Sequence, residues 1–169
     1  MLYLLIKAGL GICIIHKSFV YLYCNTNLIK KQNLIIKNLW LGSKYAALNN
    51  KFLLNKNIKL IINISKDIEF TNLNIEKYRI SSNDDLTDSC RKGLANHFNT
   101  VYNLIDNKLD NDEGVLIHCL AGMQRSATLT AMYLMKKNKK NLNETMNLIK
   151  CKRWVAFKPF PHYKLLLQD

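Results

Sequence analysis

Near the middle of the chain, His118-Cys119-Leu120-Ala121-Gly122-Met123-Gln124-Arg125-Ser126 sets an imidazole, a thiol, a guanidinium and a hydroxyl within nine positions. A thiol among backbone N–H groups at a helix N-terminus is a nucleophile at neutral pH. Such surroundings lower a cysteine pKa from about 8.5 to roughly 3.5–7.5. Arg125, six residues after Cys119, offers a planar fork to two oxygens of a tetrahedral anion, which lysine cannot copy. Gly122 permits a backbone turn that a side chain would hinder. Ser126 puts a hydroxyl beside the sulfur, and His118 can hydrogen-bond the loop backbone. The set suits sulfur attack on a bound oxyanion.

Such a loop needs a strand to deliver it and a helix to receive it. Val115-Leu116-Ile117, led in by Gly114, reads as a buried strand. From Ser126 onward Leu129, Met132, Tyr133 and Met135 recur at helical spacing, and Lys136 and Lys137 suit a helix C-terminus. The N–H groups of Leu120, Ala121, Gly122, Met123, Gln124 and Arg125 can then point at one spot and bind the anion. The bland alternative is a cysteine packed in a core. Five fixed residue types in nine positions, however, arise by chance on the order of once per ten thousand chains.

The remaining chain supplies an α/β frame. Leu34–Ile36 and Leu39–Gly42 bracket Lys37-Asn38 and read as a hairpin. Ser43 is placed to cap a short helix of Tyr45, Ala46, Ala47 and Leu48, after which Phe52, Leu53 and Leu54 pack. Ile58–Ile64 reads as a strand buried on both faces, and Ile75–Ile80 as the next strand. Leu94, Phe98, Val101, Tyr102, Leu104 and Ile105 form a helical stripe from about residue 90 to 107, with a polar connection over Asp106–Gly114. Asn141–Cys151 is a further helix with Leu142, Met146 and Ile149 inward; Lys150, Lys152 and Arg153 continue a basic surface. Alternating strands and helices predict a sheet with helices on both faces.

The 169 residues predict one catalytic domain over 33–169, preceded by an apolar extension over 1–32. In that extension Lys7, His16 and Lys17 leave Ala8–Ile15 as the longest clean apolar run, too short to span a bilayer. A helix packed on the domain or on a second copy of it is favoured there over an interfacial membrane anchor or an upstream extension of a misassigned start. Twenty-five Lys and Arg against 12 Asp and Glu give +13, which suits polyanionic partners without choosing among them. Cys13, Cys24, Cys90, Cys119 and Cys151 are odd in number and form no CxxC pair, which predicts the cytoplasm or another reducing compartment.

His-Cys-x-x-Gly-x-x-Arg-Ser, followed by Ala127-Thr128 and Ala131–Met135, resembles the signature of the cysteine-dependent dual-specificity protein phosphatases, and the short length suits that type. The resemblance implies a single-domain cysteine-phosphatase fold, a central, mostly parallel sheet flanked by helices. It implies a phosphocysteine on Cys119, phosphoryl binding by Arg125, thiolate release eased by Ser126, and no metal or other cofactor. The family's general acid falls on Asp84, with Asp85 the alternative, in the polar loop Ser81–Asp88.

Ala156-Phe157 with Pro161 and Tyr163, and Asp84-Asp85 with Thr87-Asp88, are closer to the poxvirus virion phosphatases. That group exchanges an N-terminal helix between subunits, which implies a homodimer through residues 1–24 and packaging in a virion. The expected partners are phosphorylated proteins. RNA 5′-triphosphate is the second reading, favoured by the charge but opposed by Ser126-Ala127, where those relatives carry Thr-Gly. A silent phosphoprotein-binding module is the third.

Overall fold

A computed structural model of the chain describes residues 30–82 and 88–158, with residues 88–91 described as backbone. The extension over 1–24, Asp84, Asp85, Thr87, Pro161 and Tyr163 lie outside the described residues.

Five strands form one sheet: β1 (Gln32–Ile36), β2 (Leu39–Gly42), β3 (Ile58–Asn63), β4 (Glu76–Arg79) and β5 (Gly114–His118). Their order is β1-β2-β5-β3-β4. β1 and β2 pair antiparallel, as the hairpin expectation required, and Asn38 supplies the positive φ of its tight turn (62°). The other pairs, β2–β5, β5–β3 and β3–β4, are parallel. The sheet is therefore mostly parallel, with β5 at its centre.

Period-two alternation sorts the aliphatic strands onto two cores. Leu60, Ile62, Val115 and Ile117 face one cluster, built with Leu94, Val101, Ile105, Leu129 and Ile149. Ile61 and Leu116 face the other, with Ala46, Ala47, Phe52 and Leu53. Helices α1 (Lys44–Ala47) and α2 (Asn50–Asn55) supply the second cluster. Helices α3 (Asp88–Asp110), α4 (Arg125–Asn138) and α5 (Leu142–Lys152) supply the first. Helices thus cover both faces, as predicted. Asn141 caps α5 by accepting from the Glu144 N–H at 2.9 Å.

Three local expectations are corrected. Leu54 is exposed, because α2 turns only Phe52 and Leu53 inward. Ser43 occupies the N-cap position of α1, yet its hydroxyl donates to the Lys31 carbonyl at 3.3 Å instead of capping the helix. The polar connection starts after Asp110, not at Asp106. Asp106 lies within α3 and accepts from the Tyr133 hydroxyl of α4 at 2.9 Å. Among the described residues no helix is long and apolar enough to cross a membrane.

Candidate active site

The loop leaves the carboxyl end of β5, where His118 lies in register with Gly42 of β2 and Asn63 of β3. This edge of a parallel sheet is where α/β proteins place their ligands. Its conformation follows from where the carbonyls go. The His118 carbonyl accepts from the Ile64 N–H at 2.9 Å, that of Leu120 from Lys44 N–H at 3.1 Å, and that of Met123 from Phe157 N–H at 2.7 Å. The Ala121 and Gly122 carbonyls accept from Arg153 Nη2 (2.9 Å) and Nε (2.7 Å). The Gln124 carbonyl closes the first turn of α4 by accepting from Thr128 N–H at 2.8 Å. In a planar trans peptide N–H and C=O point opposite ways. With the carbonyls held outward, the N–H groups of the loop turn inward.

Inside that ring sits Cys119, 3% exposed, whose sulfur accepts from the Gly122 N–H at 3.3 Å and lies 3.2 Å from Ser126 Oγ. Arg125, the first residue of α4, is buried, and its Nη1 donates to the Ser82 carbonyl at 2.8 Å. The helix N-terminus lies behind the ring and adds its positive end. The arrangement is a ring of backbone N–H groups with a buried thiol at its base. Among the described residues no group of three or more His, Cys, Asp and Glu could hold a metal ion.

The family model for the dual specificity phosphatase catalytic domain matches residues 39–168. The chain belongs to the dual specificity phosphatases. It is 30% identical over 135 residues to dual specificity protein phosphatase 1B of Arabidopsis thaliana, covering 80% of this chain and 78% of the relative. A viral protein, "Putative tyrosine phosphatase 123R" of Invertebrate iridescent virus 6, is 31% identical over 79% of this chain and 88% of its own. Human dual specificity protein phosphatase 9 is 33% identical over 70% of this chain, which spans only 31% of that longer protein. In fold, human DUSP28 superposes with a TM-score of 0.74 over 82% of this chain and 91% of its own, at 24% identity.

Of the residues expected from sequence, Cys119, Arg125, Ser126, His118 and the loop from Leu120 to Gln124 lie together at the carboxyl end of β5. His118 Nδ1 makes a long contact of 3.4 Å to the Cys119 carbonyl. That carbonyl can only accept, so Nδ1 carries the proton. Burial, together with the Arg79 and Arg125 charges, lowers the His118 pKa to about 4, and the ring is neutral at pH 7.

Arg153 is the residue the sequence reading misplaced. It is not surface: at 1% exposure it is among the most buried large side chains, and it ties the loop to Asn33 of β1 through Nη1 at 2.7 Å. A basic run, Lys150-Cys151-Lys152-Arg153, looks uniformly solvated. The apolar Val155-Ala156-Phe157 that follows was the available signal, since those residues are buried and draw Arg153 in with them. The Gln124 side chain was also missed as an anchor; it donates to the Lys158 carbonyl at 2.7 Å.

Gly122 has a φ of +70°, and a Cβ there would lie 2.4 Å from the Gly42 carbonyl oxygen and 2.9 Å from Arg153 Nη2. Backbone oxygen cannot move aside cheaply. Gly122→Ala is therefore expected to cost about 2–4 kcal/mol of stability and to distort the cradle. Denaturant unfolding with inorganic phosphate titration checks this; a change below about 0.5 kcal/mol with intact binding would contradict it.

Proposed function

We propose that this phosphatase hydrolyses phosphotyrosine and phosphoserine/phosphothreonine esters of proteins through a phosphocysteine on Cys119. The observation that carries the reading is the outward anchoring of the loop carbonyls, which leaves the N–H groups for the three non-bridging oxygens of a phosphoryl group. The Cys119 thiolate attacks phosphorus and the P–O bond to the substrate breaks. Asp84 gives its proton to the leaving oxygen. Water then attacks the phosphocysteine, Asp84 takes a proton from it, and the thiolate departs with the Ser126 hydroxyl, 3.2 Å away, as its hydrogen-bond donor. The Arg125 fork holds the phosphoryl oxygens in both steps, and preorganised donors aimed at developing charge are where such sites gain most of their rate.

Asp84 stands two residues after Ser82, whose carbonyl accepts from Arg125. The resemblance, which puts the acid four residues past Ile80, favours Asp84 over Asp85. Asp84→Asn is expected to lower kcat on phosphopeptides by about 10²-fold and to remove the alkaline limb of the pH profile, with a smaller loss on an aryl phosphate whose leaving group needs no proton. If Asp85→Asn shows that pattern instead, Asp85 is the acid.

The substrates are phosphorylated proteins of a reducing compartment. The loop carries Arg125 as its only charged side chain, which suits one phosphoryl group rather than a highly charged headgroup. The test is release of phosphate from phosphotyrosine and phosphothreonine peptides beside a 5′-triphosphate RNA, in reducing buffer with chelator. Release from both peptides is the expected result. Release from RNA alone would replace the reading with a triphosphatase, and silence on all three with a binding module.

A further inference from the structure

We propose that Arg153 is a positioning residue for Cys119, polarising two of the loop's N–H donors from behind through the peptide groups Ala121–Gly122 and Gly122–Met123. The inference rests on the reading of Cys119 as the nucleophile, but it concerns the state of the sulfur and can be read without turnover.

A peptide's C=O and N–H belong to one conjugated unit. A cation donating to the oxygen draws density from the nitrogen, and a chain of hydrogen bonds strengthens along its length in a low dielectric. Arg153 Nη2 donates to the Ala121 carbonyl at 2.9 Å. The N–H of that same unit is the Gly122 N–H, which donates to Cys119 Sγ at 3.3 Å. Arg153 Nε donates to the Gly122 carbonyl at 2.7 Å, and that unit carries the N–H of Met123, the next donor of the cradle. A buried full charge is thus relayed by one peptide to the sulfur and by a second to the anion's seat.

Only a fork does this. Two donors at a fixed spacing meet two successive carbonyls while the third nitrogen is held by Asn33 Oδ1 at 2.7 Å, and an ammonium has no such plane. The described charged and titratable groups on the elements around the loop include neutral His118 of β5, Arg125 of α4, Arg79 of β4 acting on His118, Lys44 of α1, Lys158 beyond α5, and Arg153 itself. Arg153 lies outside the nine-residue motif, 34 positions beyond Cys119.

The experiment follows alkylation of Cys119 by iodoacetamide against pH in the full chain, with the Cys119 peptide quantified by mass spectrometry and inorganic phosphate as protectant. Arg153→Lys is expected to raise the midpoint by about one pH unit and to weaken phosphate protection about tenfold. Asn33→Ala, which releases only Nη1, is expected to shift both the same way by about threefold in protection. Melting curves establish that each variant is folded. A folded Arg153→Lys with wild-type midpoint and protection would overturn the proposal and leave Arg153 a packing residue. If that variant does not fold, wild-type values for Asn33→Ala would overturn it equally. Shifted midpoints in variants of an enzyme silent on every phosphoester would sustain the relay while sinking the catalytic reading.

Discussion

Cys119→Ser is expected to lower turnover of phosphopeptides by about 10⁴-fold or more while leaving phosphopeptide affinity near that of the wild type. A serine hydroxyl in the same place stays protonated at neutral pH, so the attacking anion is gone. The cradle remains, because the partners of its carbonyls are Lys44, Arg153, Phe157 and Thr128, none of which depends on the sulfur. The split between lost kcat and kept binding is what separates a nucleophile from a structural thiol. Single-turnover kinetics beside calorimetric titration with a phosphotyrosine peptide measures both. Substantial turnover by Cys119→Ser would remove the covalent mechanism, and loss of binding would show that the sulfur organises the loop.

Arg125→Ala is expected to lose both binding and turnover, with kcat/KM down by about 10³-fold and inorganic phosphate no longer protecting Cys119 from alkylation. Two contributions act together. The fork that meets two phosphoryl oxygens is removed, and so is the donor to the Ser82 carbonyl at 2.8 Å, which ties the end of the segment before Asp84 to the loop. Arg125→Lys restores charge without the fork. It should therefore recover part of the phosphate affinity and little of kcat. Full recovery by lysine would mean that the site uses Arg125 only as a point charge.

How the chain reads depends on the distance over which each constraint acts. The strand Gly114–His118, the loop and the helix from Arg125 are contiguous, so hydrophobic period, one glycine and a cysteine six residues before an arginine were enough to place them. The two-residue hairpin turn at Lys37-Asn38 is equally local. Where those rules met tertiary context they gave way. The Ser43 hydroxyl took the Lys31 carbonyl, and α3 ran on to Asp110 because Asp106 gained the Tyr133 hydroxyl of α4 as a partner.

The sequence by itself determined that a thiol, a fork-shaped cation and a hydroxyl share one strand-to-helix turn, since nine consecutive residues and the dipole of one helix suffice for that chemistry. Tertiary structure alone decided which groups hold the turn in shape. Its carbonyls are drawn outward by groups from Ile64, Lys44, Arg153 and Phe157, distant in sequence, and Asn33 meets Arg153 across 120 residues. No periodicity marks a buried arginine within a basic run. Its place follows only from the carbonyls that β5 and α4 leave for it to satisfy.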